Sequence, residues 1–97
     1  MEYKALKTVF GDSLPPVSAN KSLIGHAMGA SSAIESIFAM ECMQQGVVPP
    51  TINYTPDPEL VLDCVADGAR RLDQEYVLKN SFGFGGCNAC IVFRRVA

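Results

Sequence analysis

An unusually apolar stretch, residues 30–43, limits how this chain can fold. Small or apolar side chains occupy nearly every position: Ala30, Ala33, Ile34, Ile37, Phe38, Ala39, Met40, Cys42 and Met43. A helix that is apolar on all its faces is typical of a protein interior. The sequence therefore predicts a fully buried helix that begins at Gly25 or Ala27 and extends to about Gln45, with Gly46 ending it.

Glu35 is the charged exception within this helix. Burying a carboxylate without a partner is unfavourable, so we expect Glu35 to pair with Lys21 or with a chain of polar groups near His26. The alternative is that Glu35 reaches an edge of the protein and contacts water.

The size and composition of the chain indicate that this helix is covered partly by protein surface from outside these 97 residues. The chain has 97 residues, of which 48% are hydrophobic and 19% are charged. A chain of this length forms one small domain at most, and this composition is closer to that of a piece of a large core. We treat residues 1–97 as one unit and expect part of its surface to contact a partner.

Charge and hydropathy argue against several classes of function. The net charge is −2 and there is no basic run, so neither nucleic acid nor an anionic membrane surface is an expected partner. No stretch approaches the roughly eighteen apolar residues of a membrane span, and the N-terminus lacks a secretory signal pattern. We therefore predict a cytoplasmic protein with reduced cysteines. Cys87 and Cys90 have C-x-x-C spacing, but without a second such pair they do not predict a metal site.

The single histidine and a nearby lysine lie just before the apolar helix. Lys21 precedes His26 by five positions in a polar loop punctuated by Gly25 and Gly29. The N-terminal end of a helix favours negative charge and disfavours a protonated imidazole, so we expect a neutral His26 that donates a hydrogen bond. The alternative is a histidine that only caps the helix or packs.

The remaining elements follow from local patterns. Apolar residues at helical spacing predict a helix over Glu2–Phe10 that ends at Gly11. Proline, glycine and β-branched residues predict a brief strand at residues 17–19, an extended segment at 47–50, and two antiparallel strands at 76–79 and 90–94. Residues 59–69 are predicted to form at most a turn of helix or an irregular surface connection.

A glycine-rich loop joins the last two strands. Gly83 and Gly85 flank Phe84, and a phenylalanine with a flexible residue on each side can act as a gate. The loop lies between strands and does not open a helix, so it does not predict dinucleotide binding. The alternative is that Phe82 and Phe84 only fill the core.

Three motifs occur in order along the chain. They are Lys21-Ser-Leu-Ile-Gly-His26, Val48-Pro-Pro-Thr-Ile-Asn53 and Asn80-Ser-Phe-Gly-Phe-Gly-Gly86. Together they resemble the beta-ketoacyl-[acyl-carrier-protein] synthases, in particular the synthase II-like condensing enzymes. The resemblance covers nearly all of the chain and corresponds to the end of a much longer enzyme.

This resemblance implies an α/β architecture of the thiolase-like fold. Residues 1–97 would form most of its C-terminal half, with helices packed on a mixed sheet. It also implies an acyltransferase of fatty-acid synthesis that acts as a homodimer, without a metal or cofactor. Its partners would be an acyl carrier protein bearing acyl or malonyl thioesters and the missing N-terminal half.

The resemblance also implies roles for individual residues. His26 matches the family's second active-site histidine, Lys21 its lysine, Glu35 its buried acidic residue, and Phe84 its gating phenylalanine between Gly83 and Gly85. The family's nucleophilic cysteine and first histidine would lie upstream of Met1, so we expect the 97 residues alone to be inactive. Cys87 stands where the family usually has threonine.

Two other functions stay open at this point. One is a polyketide ketosynthase or its non-catalytic chain-length partner. The other is an interaction or assembly module that keeps the packing face of the fold but has no activity. The presence of both Lys21 and His26 favours a catalytic protein.

Overall fold

The structure is a computed structural model that describes residues 1–83 and 85–96. Phe84, the predicted gate, and Ala97 lie outside the described residues. The elements in chain order are α1 (Glu2–Phe10), α2 (Lys21–Ile24), a 3₁₀ turn (Met28–Ala30), α3 (Ser31–Gln45), β1 (Val47–Val48), β2 (Arg70–Arg71), β3 (Tyr76–Phe82) and β4 (Asn88–Arg94).

The predicted helix α1 is confirmed, and it ends as its sequence indicates. Gly11 has a φ of +61°, a conformation that glycine adopts without steric penalty. The Gly11 N–H donates to the Lys7 carbonyl at 2.8 Å, which closes the last turn.

The predicted apolar helix is present, but the prediction that it is fully buried is wrong. It begins later than expected, at Ser31, and ends at Gly46 in the left-handed conformation. The side chains of Ile34 and Ile37 are 44% and 64% exposed. Within the described residues, α3 packs mainly against β3, β1 and the 3₁₀ turn, and these elements leave the two isoleucines uncovered.

The two predicted C-terminal strands are confirmed as antiparallel neighbours and are longer than predicted. β3 and β4 pair from Tyr76 opposite Arg94 to Phe82 opposite Asn88. Helix α3 packs on β3. This contact fixes which strand residues face the helix.

A second antiparallel pair joins β1 to β2. Strand β2 was not predicted, because a two-residue strand leaves no periodic pattern in a sequence. The predicted strand at residues 17–19 is reduced to one parallel bridge between Val17 and Cys64.

The connection at residues 59–69 is irregular, as predicted, but it is not a surface segment throughout. Val65 is 2% exposed, the lowest exposure among the buried apolar side chains. Its N–H donates to the Val17 carbonyl at 2.9 Å, and its carbonyl accepts from the Thr51 N–H at 2.7 Å. These bonds tie the connection to the segment just before Lys21.

None of the helices described between residues 1 and 96 combines the length and hydropathy that a membrane span needs.

Candidate active site

Glu35 lies between two lysine side chains, Lys21 and Lys79. Its Oε2 accepts a hydrogen bond from Lys21 Nζ at 2.8 Å, and its Oε1 lies 3.5 Å from Lys79 Nζ. The Glu35 and Lys79 side chains are 9% and 7% exposed, whereas the Lys21 side chain is 44% exposed. The predicted pairing of Glu35 with Lys21 is confirmed. These three residues form the Glu35 cluster.

Three different elements contribute to the Glu35 cluster. Lys21 is the first residue of α2, Glu35 lies in the second turn of α3, and Lys79 is in the middle of β3. The prediction that Lys21 lies in a loop is wrong, because residues 21–24 form one helical turn. The Gly25 N–H donates to the Lys21 carbonyl at 2.9 Å, and a φ of +78° at Gly25 then turns the chain away.

The two lysines determine the charge state of Glu35. Burial by itself would raise the pKa of this carboxyl, but the hydrogen bond from Lys21 and the charge of Lys79 outweigh burial and lower the pKa below its ordinary value. Glu35 is therefore held as a carboxylate, which matches the expectation that it does not stand unpaired.

Lys79 was not predicted as a site residue. Its Nζ donates to the Asn80 carbonyl at 3.1 Å and to Ser81 Oγ. Ser81 Oγ also accepts a hydrogen bond from Ser32 Oγ of α3 at 2.9 Å. The sequence contained only part of the signal: the period of two along β3 places Val77, Lys79 and Ser81 on one face, but it does not show that this face packs on α3. When such a face packs against a helix that contains a carboxylate, a lysine on the face can pair with that carboxylate.

His26 lies between α2 and the 3₁₀ turn and is exposed. Its Nδ1 accepts a hydrogen bond from the Met28 N–H at 3.0 Å and lies 3.0 Å from Ser31 Oγ. Ser31 Oγ in turn accepts the Ala27 N–H at 2.8 Å. Met28 has a φ of +50°, which costs a non-glycine residue about 1–2 kcal/mol. The turn that holds the imidazole is therefore strained.

These contacts select one tautomer of His26. An Nδ1 that accepts a backbone N–H needs its lone pair, so the proton of the neutral ring is on Nε2. The exposed ring then presents Nε2–H as a donor, and the role of His26 in a reaction stays a prediction. Ser31 was not predicted to hold the ring, although it lies one helical turn before Glu35 and therefore on the same face of α3.

The glycine-rich loop turns sharply between β3 and β4. Gly83 N–H donates to the Cys87 carbonyl at 2.6 Å, and a Cβ added at Gly83 would lie 3.3 Å from that oxygen. Gly85 and Gly86 both have a φ of +80°. These positions suit glycine, as predicted, and a gating role for Gly83, Phe84 and Gly85 stays a prediction because Phe84 lies outside the described residues.

The Glu35 cluster lines an open cleft of about 790 Å³. Helix α1, helix α3 and strand β3 form its walls, with Leu6, Phe10 and Val77 among the apolar lining residues. The cleft therefore combines apolar walls with a group of charges, as small-molecule sites commonly do.

Comparison with known proteins identifies the family. The family model described as "Beta-ketoacyl synthase, C-terminal domain" matches residues 1–55, which is more than half of the chain. The chain belongs to the beta-ketoacyl synthase family. Its structure therefore represents part of the C-terminal domain of a beta-ketoacyl synthase.

Relatives of this beta-ketoacyl synthase chain are much longer than the chain itself. It is 45% identical to 3-oxoacyl-[acyl-carrier-protein] synthase 2 of Staphylococcus aureus (strain COL) in an alignment of 97 positions, which covers 97% of this chain and 23% of that protein. The chain thus spans about a quarter of the length of the curated relatives that it matches.

Solved structures of beta-ketoacyl synthases confirm the predicted thiolase-like fold. The crystal structure of a beta-ketoacyl synthase from Burkholderia phymatum STM815 has a TM-score of 0.90 and 41% identity, and the match covers 99% of this chain and 24% of that one. A type II PKS acyl-carrier protein in complex with its ketosynthase, bound to the hexaketide, gives a TM-score of 0.92 and 39% identity with the same coverage.

The cysteines of this beta-ketoacyl synthase chain are free thiols. Cys87 and Cys90 are exposed, and Cys42 and Cys64 are half-buried. Burial and the neighbouring Glu41 raise the pKa of the Cys42 thiol, which makes it a poor nucleophile at neutral pH. Within residues 1–83 and 85–96, no three His, Cys, Asp or Glu side chains are grouped so that they could hold a metal ion.

Proposed function

We propose that this chain is the C-terminal part of a 3-oxoacyl-[acyl-carrier-protein] synthase, an acyltransferase that condenses malonyl-carrier protein with an acyl thioester in fatty-acid elongation. The observation that carries the proposal is the geometry of His26, whose Nδ1 accepts the Met28 N–H and whose exposed ring is left with Nε2–H as a donor. The identity of 45% to synthase 2 of Staphylococcus aureus supports it.

The chemistry needs such a donor. Decarboxylation breaks the bond between the malonyl α-carbon and its carboxylate, releases CO₂ and moves the electron pair into an enolate. The enolate carbon then attacks the acyl thioester on an upstream cysteine, forms the new carbon–carbon bond and releases the cysteine thiolate. An N–H fixed at the enolate oxygen stabilises the developing charge, and losing such a donor costs roughly 3 kcal/mol.

The other predicted site residues take supporting roles in this proposal. Lys21, held by Glu35, supplies positive charge near the reaction and does not act as a nucleophile. Phe84, between Gly83 and Gly85, gates access for the acyl chain. The ordered turn at Gly83 and the left-handed conformation of Gly85 are compatible with hinges on each side of it.

The partners form part of the same proposal. A related type II PKS ketosynthase has been observed with its acyl-carrier protein, and we propose an acyl carrier protein with an acyl or malonyl thioester as the partner of this chain. We also propose that it acts with an N-terminal half that carries the nucleophile, as a cytoplasmic homodimer. The family resemblance supports both points.

A polyketide ketosynthase is the second candidate. The match to a type II PKS ketosynthase at a TM-score of 0.92 favours it. The number of malonyl units added in the absence of a reductase separates the two candidates. A fatty-acid enzyme adds one unit to a saturated acyl chain, whereas a polyketide enzyme extends the unreduced product again.

The experiment that tests the proposal uses the protein with and without the upstream region that its relatives have. The longer protein should form 3-oxoacyl product from malonyl-carrier protein and an acyl thioester, and the 97 residues alone should form none. In the longer protein, His26→Ala should slow decarboxylation and condensation by about a hundredfold or more, while acyl loading on the upstream cysteine largely survives.

His26→Gln is the control for this variant, because its amide keeps an N–H donor and should recover part of the rate. Loading and decarboxylation are measured separately. If His26→Ala abolished loading but left decarboxylation intact, His26 would serve the nucleophile and the donor role would be wrong. Product from the 97 residues alone that Cys87→Ser removes would make Cys87 a nucleophile.

A further inference from the structure

The Glu35 cluster carries one more positive charge than it needs for neutrality. Lys21 and Lys79 each bring an ammonium group to the single carboxylate of Glu35, one lysine at each oxygen. A carboxylate paired with one lysine would form a neutral pair. The second lysine leaves these three side chains with a net charge of +1.

The two lysines are placed differently with respect to solvent. The Lys79 side chain is 7% exposed, and its ammonium is occupied by Glu35, the Asn80 carbonyl and Ser81 Oγ. The Lys21 side chain is 44% exposed and lines the open cleft. The buried lysine is therefore fixed, and the excess charge is available to a ligand at the exposed lysine.

We propose that Lys79 is a positioning residue that compensates the charge of Glu35, so that Lys21 keeps an uncompensated positive charge towards an anionic substrate. The inference rests on the proposed function for the identity of that anion, which would be the malonyl thioester and the enolate formed from it. Lys79 touches no substrate in this arrangement, and acts through Glu35 and Lys21.

A double-mutant cycle separates this role from a merely structural one. In the longer protein, Lys79→Met leaves Glu35 and Lys21 as a neutral pair, and malonyl decarboxylation should fall roughly tenfold while acyl loading is unchanged. Adding Glu35→Gln removes the charge that Lys79 compensated. The double variant should therefore recover to within about threefold of the wild-type rate.

The control is Lys7→Met, which removes the lysine of an exposed ion pair with Asp12, outside the cleft. It should leave every rate unchanged. Lys79→Arg keeps the charge and should retain more activity than Lys79→Met. If the double variant were as slow as Lys79→Met or slower, Lys79 would support only the packing of β3 on α3, and the inference would be overturned.

A second readout keeps the inference separate from the proposed function. If the wild-type protein forms no 3-oxoacyl product, the proposed function fails, and the ionisation of Glu35 then decides the inference. Lys21 of α2 and Lys79 of β3 face Glu35, and Glu2 of α1 lines the same cleft. Carbon-13 NMR of labelled glutamate should show a higher Glu35 pKa in Lys79→Met and no change in Lys7→Met. An unchanged Glu35 pKa in Lys79→Met would overturn the inference.

Discussion

The two faces of helix α3 do not divide into a buried apolar face and an exposed polar face, as those of an ordinary surface helix do. On one face, Ser31 and Glu35 are each 7% exposed. On the other, Ile34 and Ile37 are 44% and 64% exposed. The chain covers these two polar side chains together with Met43, and it leaves several apolar side chains of the helix uncovered.

The difference lies in where the partners of each face come from. The polar face finds its partners within the chain, since Lys21 and Lys79 hold Glu35 and Ser31 contacts His26. The apolar face has no such cover in the described residues. The polar site is therefore the self-contained part of this domain, and we expect another chain segment or subunit to cover the apolar face.

Removing the carboxylate of the polar face should have the largest effect. Glu35→Leu leaves the buried Lys79 ammonium without its carboxylate, and breaking a buried pair in this way typically lowers the free energy of unfolding by about 3–5 kcal/mol. Urea unfolding followed by far-UV circular dichroism measures the change.

Glu41→Leu is the matched control, because Glu41 is an exposed glutamate of the same helix that accepts a hydrogen bond from Gln45. It should change the unfolding free energy by less than about 0.5 kcal/mol. Equal losses in the two variants would mean that the two faces do not differ energetically.

Lowering the pH should also reduce the free energy of unfolding through the polar face, but by less than Glu35→Leu does. The pKa of Glu35 is lowered in the folded chain, so its contribution is fully present above the unfolded value of about 4.3 and is lost as pH falls through the lower folded value. The unfolding free energy, measured from pH 7 to pH 3, should therefore fall more steeply in the wild type than in Glu35→Gln.

Asp63 would also make the free energy of unfolding depend on pH, because the hydrogen bond from Arg70 lowers the pKa of the Asp63 carboxyl. Both measurements are therefore made in an Asp63→Asn background. Parallel pH profiles in that background would show that the ionisation of Glu35 is not linked to folding.

Changing the apolar face should have the smallest effect on stability and a clear effect on association. Ile37→Glu replaces a largely exposed side chain, so the unfolding free energy of the 97 residues should change by less than about 0.5 kcal/mol. Self-association and the binding of a hydrophobic dye should both decrease. Sedimentation velocity and dye fluorescence measure them.

Gln44→Glu adds the same charge at an exposed polar position of α3 and should leave association unchanged. A wild-type chain that sediments as a compact monomer and binds no dye would contradict the idea that this face needs a cover.

The sequence predicted those parts of the molecule that leave a periodic or motif signal. Helix α1, the end of α3 at Gly46 and the antiparallel pairing of β3 with β4 follow from such signals, and the Glu35–Lys21 pair follows from the unfavourable burial of a lone carboxylate. The same reasoning predicted too much burial for α3, because hydropathy alone does not reveal whether the covering surface belongs to the same chain.

The contact of Lys79 with Glu35 and the burial of Val65 could not be predicted from local patterns alone. Lys79 faces Glu35 only because β3 packs on α3 with one particular face, and that choice is made by tertiary contacts. Val65 is buried through backbone hydrogen bonds of an irregular segment, which have no side-chain periodicity. In both cases the missing information is the spatial neighbour, which lies far away along the chain.

The hydrogen bonds between Val17 and the segment around Val65 have a consequence for the order of folding. These residues are separated by about half of the chain, so the segment that leads to Lys21 is fixed only after a long loop has closed. Closing such a loop carries an entropy cost that local helices do not have, and long-range contacts of this kind form slowly. During folding, the helical turns should therefore form before Lys21 reaches its final position.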